Sequence, residues 1–242
     1  MESKKINKKF VILMTLLSLI GIINFRGFVL ANEDSGSKAK ITLNRKMTYD
    51  SETKLTTLEG EVTVATDDMV IRSDKFLANM ETSDGKTTVH NMYTEEEFSL
   101  ERNDGVNAKG DTIYIDFESE TVDIIGNGKL EKRQVLESRD DEGNYEEELA
   151  IICADNIHIY MDKEDFTAAG KVNVTRGDQS AECDKAYYRS EENALDMEGS
   201  VYIIGAGGET IKADKATIYL DSESFTAEAK EGGEIEITLT IN

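Results

Sequence analysis

The sequence predicts an all-β protein, built by repetition from antiparallel two-strand units of about 29–30 residues. Three observations predict it. An Asp that opens a short strand is followed 15 residues later by a Gly: Asp111 and Gly126, Asp155 and Gly170, Asp184 and Gly199. The late copies recur every 29 or 30 residues, at Asp155, Asp184 and Asp214. Apolar and polar residues alternate with period two on both sides of an acidic turn, the mark of strands with one buried face. A period of this size belongs to stacked supersecondary units. Such a stack offers a long surface, which points to binding and away from catalysis.

The elements follow in chain order. Lys4, Lys5, Lys8 and Lys9 make a basic start, and Phe10 to Ile23 is nearly all apolar. That run is short for a bilayer span of roughly 20 residues. Val29-Leu30-Ala31 reads as a signal-peptidase site, so residues 1–31 are expected to be a signal peptide, with an N-terminal anchor as the alternative. Residues 32–39 form a short tail, and residues 40–242 one domain. The first strand is expected from about Ile41 to Tyr49, where Arg45 takes the Asp position ahead of Gly60. The copy at Asp74 is irregular, with Val89, His90 and Asn91 where its Gly should fall. After the Asp111 copy, residues 131–148 interrupt the cadence with eight acidic and three basic residues, and read as a loop. The copies at Asp155 and Asp184 are regular. Gly205-Ala206-Gly207-Gly208 reads as a hairpin turn. Glu234 to Ile241 alternates cleanly and reads as a final edge strand.

Within each copy the Asp is followed at two and four residues by an inward pair, such as Ile113 and Ile115 or Ile157 and Ile159. Turns such as Asp116-Phe117-Glu118-Ser119 come next, since Asp and Ser side chains bond nearby backbone. The repeated Gly shares the parity of its apolar neighbours. It is therefore expected to point inward, at a bend where no side chain fits.

The chain has 242 residues and a formal net charge of −22. Loss of residues 1–31 removes five basic residues and one acidic residue, which takes the charge to −26. Nucleic acid is thereby a poor partner, because phosphate binding needs clustered Lys and Arg. The only cysteines, Cys153 and Cys183, stand at opposite parities two and one residues before their Asp. Opposite faces cannot meet disulfide geometry, so two free thiols are expected. His90 and His158 lack metal-ligand spacing and read as surface histidines. No catalytic set, metal site or cofactor motif is visible, and no enzyme is expected.

The inward row is the candidate site: Ile113, Ile115, Phe117, Ile157, Ile159, Val172, Val174, Val201, Ile203, Ile218 and Leu220. A strand face of this kind ordinarily fills a core. Here the face is long, no amphipathic helix exists to cover it, and Ala78, Ala108, Ala154, Ala168 and Ala186 leave room. An open trough that takes apolar ligand is the reading. Ile235, Ile237 and Leu239 of the last strand form a candidate assembly edge, complementary to the first strand with Arg45 and Lys46.

The segments ADNIHIYMDKEDFTAAGKVNV and ADKATIYLDSESFTAEA resemble the OstA-like family. That family includes the periplasmic lipopolysaccharide-transport protein LptA and its membrane-anchored relative LptC. The resemblance runs from about Lys40 to Ile241 and is clearest from Ala154 onward. It implies a V-shaped β-jellyroll whose apolar groove holds acyl chains of lipopolysaccharide or a similar lipid. It also implies non-catalytic protomers stacked end to end with other OstA-like domains, in the periplasm of a cell with two membranes. An LptC-like anchored adaptor, and a self-packed structural or interaction protein of the envelope, are the alternatives.

Overall fold

The computed structural model describes residues 40–238 except 67–68, 84–85, 104, 140–144, 162, 164 and 220–223. The signal peptide, its cleavage after Ala31 and the short tail lie outside the described residues, as do Leu220 and Leu239. Sixteen strands and no helix make up the described chain: β1 Lys40–Thr42, β2 Lys46–Tyr49, β3 Leu55–Ala65, β4 Met69–Ser83, β5 Lys86–Thr94, β6 Phe98–Arg102, β7 Val106–Gly110 and β8 Thr112–Asp116. There follow β9 Thr121–Arg139, β10 Tyr145–Tyr160, β11 Asp165–Arg176, β12 Gln179–Arg189, β13 Ala194–Ile204, β14 Thr210–Tyr219, β15 Ser224–Glu228 and β16 Glu236–Thr238. The chain is all-β and antiparallel, as the alternation predicts.

Where one domain was expected, the chain gathers into two compact units. The first takes in residues 40–131 and 154–166; the second takes in 132–153 and 167–238. In the first unit neighbouring strands run β1, β3, β4, β5, β8, β9, with β2 beside β1 on the same flank of β3. Strand β4 forks: Met69–Ser73 pairs β6, and Leu77–Ser83 pairs β5. In the second unit the order is β11, β12, β13, β14, β15, with β16 also on β14.

Each unit buries the apolar face of its strands. Leu58, Ile71, Phe76, Met92 and Leu130 are buried in the first unit; Met197, Val172 and Ile211 are buried in the second. The turns are set by side chains. Asp50 Oδ1 accepts from the Glu52 and Thr53 amides at 2.8 and 3.4 Å. Asp116 Oδ1 accepts from Glu118 and Ser119 at 2.9 and 3.0 Å. Four residues after the turn's first position, Lys54, Glu120 and Asn193 take positive φ of 58°, 54° and 44°, and so close the hairpins.

The repeated Gly is not an inward bend. Gly60, Gly126, Gly170 and Gly199 have φ of 87°, 75°, 79° and 78°. The residue after each, Glu61, Asn127, Lys171 and Ser200, is also left-handed, at 44°, 50°, 50° and 51°. The pair forms a β-bulge, visible as register shifts between Glu59 and Val62 and between Glu198 and Val201. A Cβ on Gly199 would fall on Asp184 Oδ2, and one on Gly126 would stand 2.5 Å from Asp111 Oδ2. Both Asp residues are exposed, so the Gly makes room on the outer face for the Asp 15 positions earlier. The Asp111 amide donates to the Gly126 carbonyl at 2.9 Å, and Asn127 Nδ2 donates to Asp111 Oδ2 at 2.9 Å. The Asp–Gly cadence thus records a cross-strand contact at a bulge.

Two more expectations change. Residues 131–148 are not simply a loop: β9 continues to Arg139 and β10 begins at Tyr145. Polar residues fill most of that stretch, so no hydrophobic period announces the strands there. The first edge strand is broken into β1 and β2, because Asn44 and Arg45 sit over the Gly60 bulge. The last strand is described only over Glu236–Thr238.

Candidate functional site

The predicted inward residues fall into two sets, one per unit. In the first unit, β8 places Ile113 opposite Ile124 and Ile115 opposite Val122, while Ile115 also faces Met92 of β5. Ile157 and Ile159 of β10 belong to the same unit. In the second unit, Ile203 stands between Ala181 and Ile211, and Ile218 between Leu195 and Phe225. Val172, Val174 and Val201 join that face. These nine predicted residues are 0–4% exposed. These residues, expected to point inward, do so. The chain covers that face with its own side chains, and the five small alanines are buried with it. Phe117 differs: it lies in the turn after β8, half-buried, with its amide on the His90 carbonyl at 2.9 Å.

The apolar face is uncovered at the sheet edges. Met47 pairs with buried Leu58 and Tyr49 with buried Thr56, which puts both on the inner face of β2. They are 57% and 58% exposed. At the far edge of the second unit, Ile237 pairs with buried Ile211 and is 55% exposed; Ile235 is 42% exposed. Among the described residues β1 and β2 pair only with β3, and β15 and β16 only with β14. Met47 and Tyr49 escape sequence reasoning because Arg45 and Lys46 dominate that stretch. The signal was their alternation with Lys46 and Thr48, which sets the two on one face.

Both histidines stand beside carboxylates. His158 Nδ1 lies 2.5 Å from Asp123 Oδ1, and its ring meets Tyr160 edge-on at 4.4 Å. His90 is the bulged residue of β5, 2.6 Å from Glu118 Oε1 and 3.6 Å from Glu81 Oε2. Both histidines lie on the outer face, as expected. Among the described residues no three His, Cys, Asp or Glu side chains gather to hold a metal. Cys153 and Cys183 are free thiols. Burial, then the charge of Asp184, pushes the Cys183 thiol up to about 11.

The comparisons with known proteins bear on this arrangement. Residues 44–144 match the family described as LptA/(LptD N-terminal domain) LPS transport protein. The match covers Arg45, the irregular copy and the Asp111 copy, not the later copies from Ala154 where the resemblance is clearest. No curated protein matches the chain. Among solved structures, the chain is similar to LptH, the LptA homologous periplasmic component of the conserved lipopolysaccharide transport device from Pseudomonas aeruginosa. The identity is 10%, over 87% of this chain and 100% of that one, with a TM-score of 0.28, too slight a likeness to bear on the fold. The segment from 44 to 144 is thus similar to the LptA/LptD N-terminal family, and the later copies repeat its unit.

Proposed function

We propose that this protein is a non-catalytic, periplasmic carrier of lipid acyl chains, with lipopolysaccharide or a similar lipid as cargo. The observation that carries the reading is an apolar inner face that runs to the edge of its sheet and stays uncovered there, at Met47 and Tyr49 and at Ile235 and Ile237. The family match supports the cargo. Each methylene moved from water into such an interior is worth about 0.8 kcal/mol, so a single long acyl chain supplies ample affinity. Because the inner residues are closed on one another, lipid entry must part them, and side-chain contacts are exchanged for lipid contacts.

The same uncovered edges suit end-to-end assembly with other OstA-like domains, further copies of this chain included. An edge strand keeps a free row of N–H and C=O groups that a matching edge completes. Head-to-tail pairing of two unlike edges is heterologous and builds an open filament.

A second reading is favoured by one observation, the near-complete burial of the inner faces. On it the protein is a self-packed interaction module of the envelope that holds no lipid. Mass spectrometry of lipid released from protein purified out of its native host separates the two. The carrier reading predicts stoichiometric acylated lipid; lipid-free protein would support the module. Sequencing the mature N-terminus distinguishes the soluble carrier, which begins at Asn32, from an LptC-like adaptor that retains Met1.

A further inference from the structure

The outer face of the second unit holds a concavity of about 620 Å³, within the roughly 300–1,000 Å³ range of ligand pockets. Side chains of outward parity stand over it, and buried Ala168, Ala186, Met197 and Ala216 also reach its lining. Two cross-strand rows cross its floor. One runs Lys185, Glu198, Lys215, Glu228, each directly opposite the next. The other runs Tyr187, Asp196, Thr217, Thr226. Neighbouring strands stand about 4.8 Å apart, so donors and acceptors alternate at that spacing.

The chemistry of the lining narrows the occupant. A phosphate or other anion needs clustered cations, yet each Lys here stands across from a carboxylate, and carboxylates outnumber lysines three to two. A metal ion needs converging carboxylates, yet these are interleaved with ammonium groups, and Lys215 Nζ is bonded to Glu198. An acyl chain would strip water from the five charged side chains that cross the floor, a cost that the alanines and Met197 of the lining do not offset. What remains is a neutral molecule with many hydroxyl groups, each able to donate and accept. Thr217 Oγ1 donates to Asp196 Oδ1 at 2.7 Å, and the Arg189 Nε lies 2.9 Å from Asp196 Oδ2, so the carboxylate in the second row is held in place. Beside it Tyr187 is exposed and offers an aromatic face to C–H groups. The lining as a whole is close to charge-balanced, on a chain of net charge −22.

We propose that this concavity is a carbohydrate-binding site for a neutral oligosaccharide, with Tyr187 as the stacking platform and the Asp196–Thr217 pair as the hydroxyl reader. The site stands apart from the acyl-chain reading and does not need it. The test is a titration of the isotope-labelled full chain, followed by amide chemical shifts, with maltohexaose and with N-acetylchitohexaose as free glycans. A third arm uses the oligosaccharide released from lipopolysaccharide by mild acid, then dephosphorylated and carboxyl-reduced so that it is neutral. Saturable shifts are expected at Lys185–Tyr187, Asp196–Glu198 and Lys215–Thr217 with at least one of the three, and the responding arm identifies the source. Tyr187→Ala is expected to weaken that binding at least tenfold, and Thr217→Val severalfold, with Tyr187→Phe close to the parent chain. Each variant's thermal midpoint reports its folding. Absence of saturable shifts with all three glycans, or equal binding by a folded Tyr187→Ala chain, overturns the site. Because no probe carries an acyl chain, failure here leaves the lipid reading untouched, and failure of lipid binding leaves this one untouched.

Discussion

At the residue scale, the most informative pair is Asp184 and Gly199. A Cβ at Gly199 meets three Asp184 atoms within 2.9 Å, on a backbone with φ of 78°. Gly199→Ala therefore faces both a clash and left-handed strain, and roughly 1–3 kcal/mol of stability is expected to be lost. Asp184→Ala in the same chain removes the clash and leaves the strain, so urea unfolding of the double variant should show partial recovery. The spacing was legible in sequence, but its cause was not. Parity counting assumes every residue is extended, and two successive left-handed residues, Gly199 and Ser200, leave the pleat. A side chain on the Gly thus meets the outer Asp, though the count puts it inside. The thiols were legible because Cys153 and Cys183 fall on opposite parities, and the register shift that contains Cys183 leaves it buried. For Cys183 the sign follows from burial. Its thiol is pushed up to about 11, so the native state holds its proton after the unfolded chain has lost it. Stability from this group is full below about pH 9 and lost as pH rises through about 11. Denaturation midpoints across that window should fall in the parent chain more steeply than in Cys183→Ala.

At the scale of elements, the edges decide assembly. Met47 and Ile237 each pair with a buried apolar residue and yet stay exposed, because no further strand lies beyond them among the described residues. Met47→Asp and Ile237→Asp place a charge on the inner parity of an edge, a device that blocks strand addition. Light scattering at increasing concentration should show larger species for the parent chain and monomers for either variant, with unchanged circular dichroism. Glu236 is engaged with Lys212 at 3.0 Å, so Lys212→Glu should weaken β16 and lower assembly as well. Of the final edge expected over Glu234–Ile241, the described residues form a strand at Glu236–Thr238. The extension of β9 and β10 was not legible: in residues 131–148 most side chains are polar, so the hydrophobic period that reveals a strand is missing. The first strand was also expected as an edge, but its break into β1 and β2 was hidden, since three and four residues carry too few positions to show a period.

At the scale of the whole molecule, repetition made the fold legible. Copies that share an Asp, a turn and a Gly each build two strands, and the strands necessarily place their apolar residues on one face. Ile113, Ile115, Ile157, Ile159, Val172, Val174, Val201, Ile203 and Ile218 are all buried, as that logic requires. What the sequence could not express is how far the face closes on itself, because closure depends on the distances between facing side chains and not on their order. The central claim is that acyl chains enter this interior. Its most direct test places a photo-crosslinking residue at Ile159, which is buried, and separately at His158, its outward neighbour bonded to Asp123. Illumination in native cells should yield a lipid adduct at position 159 and none at 158. Equal labelling at both positions, or no lipid at 159 in a folded chain, would contradict the account.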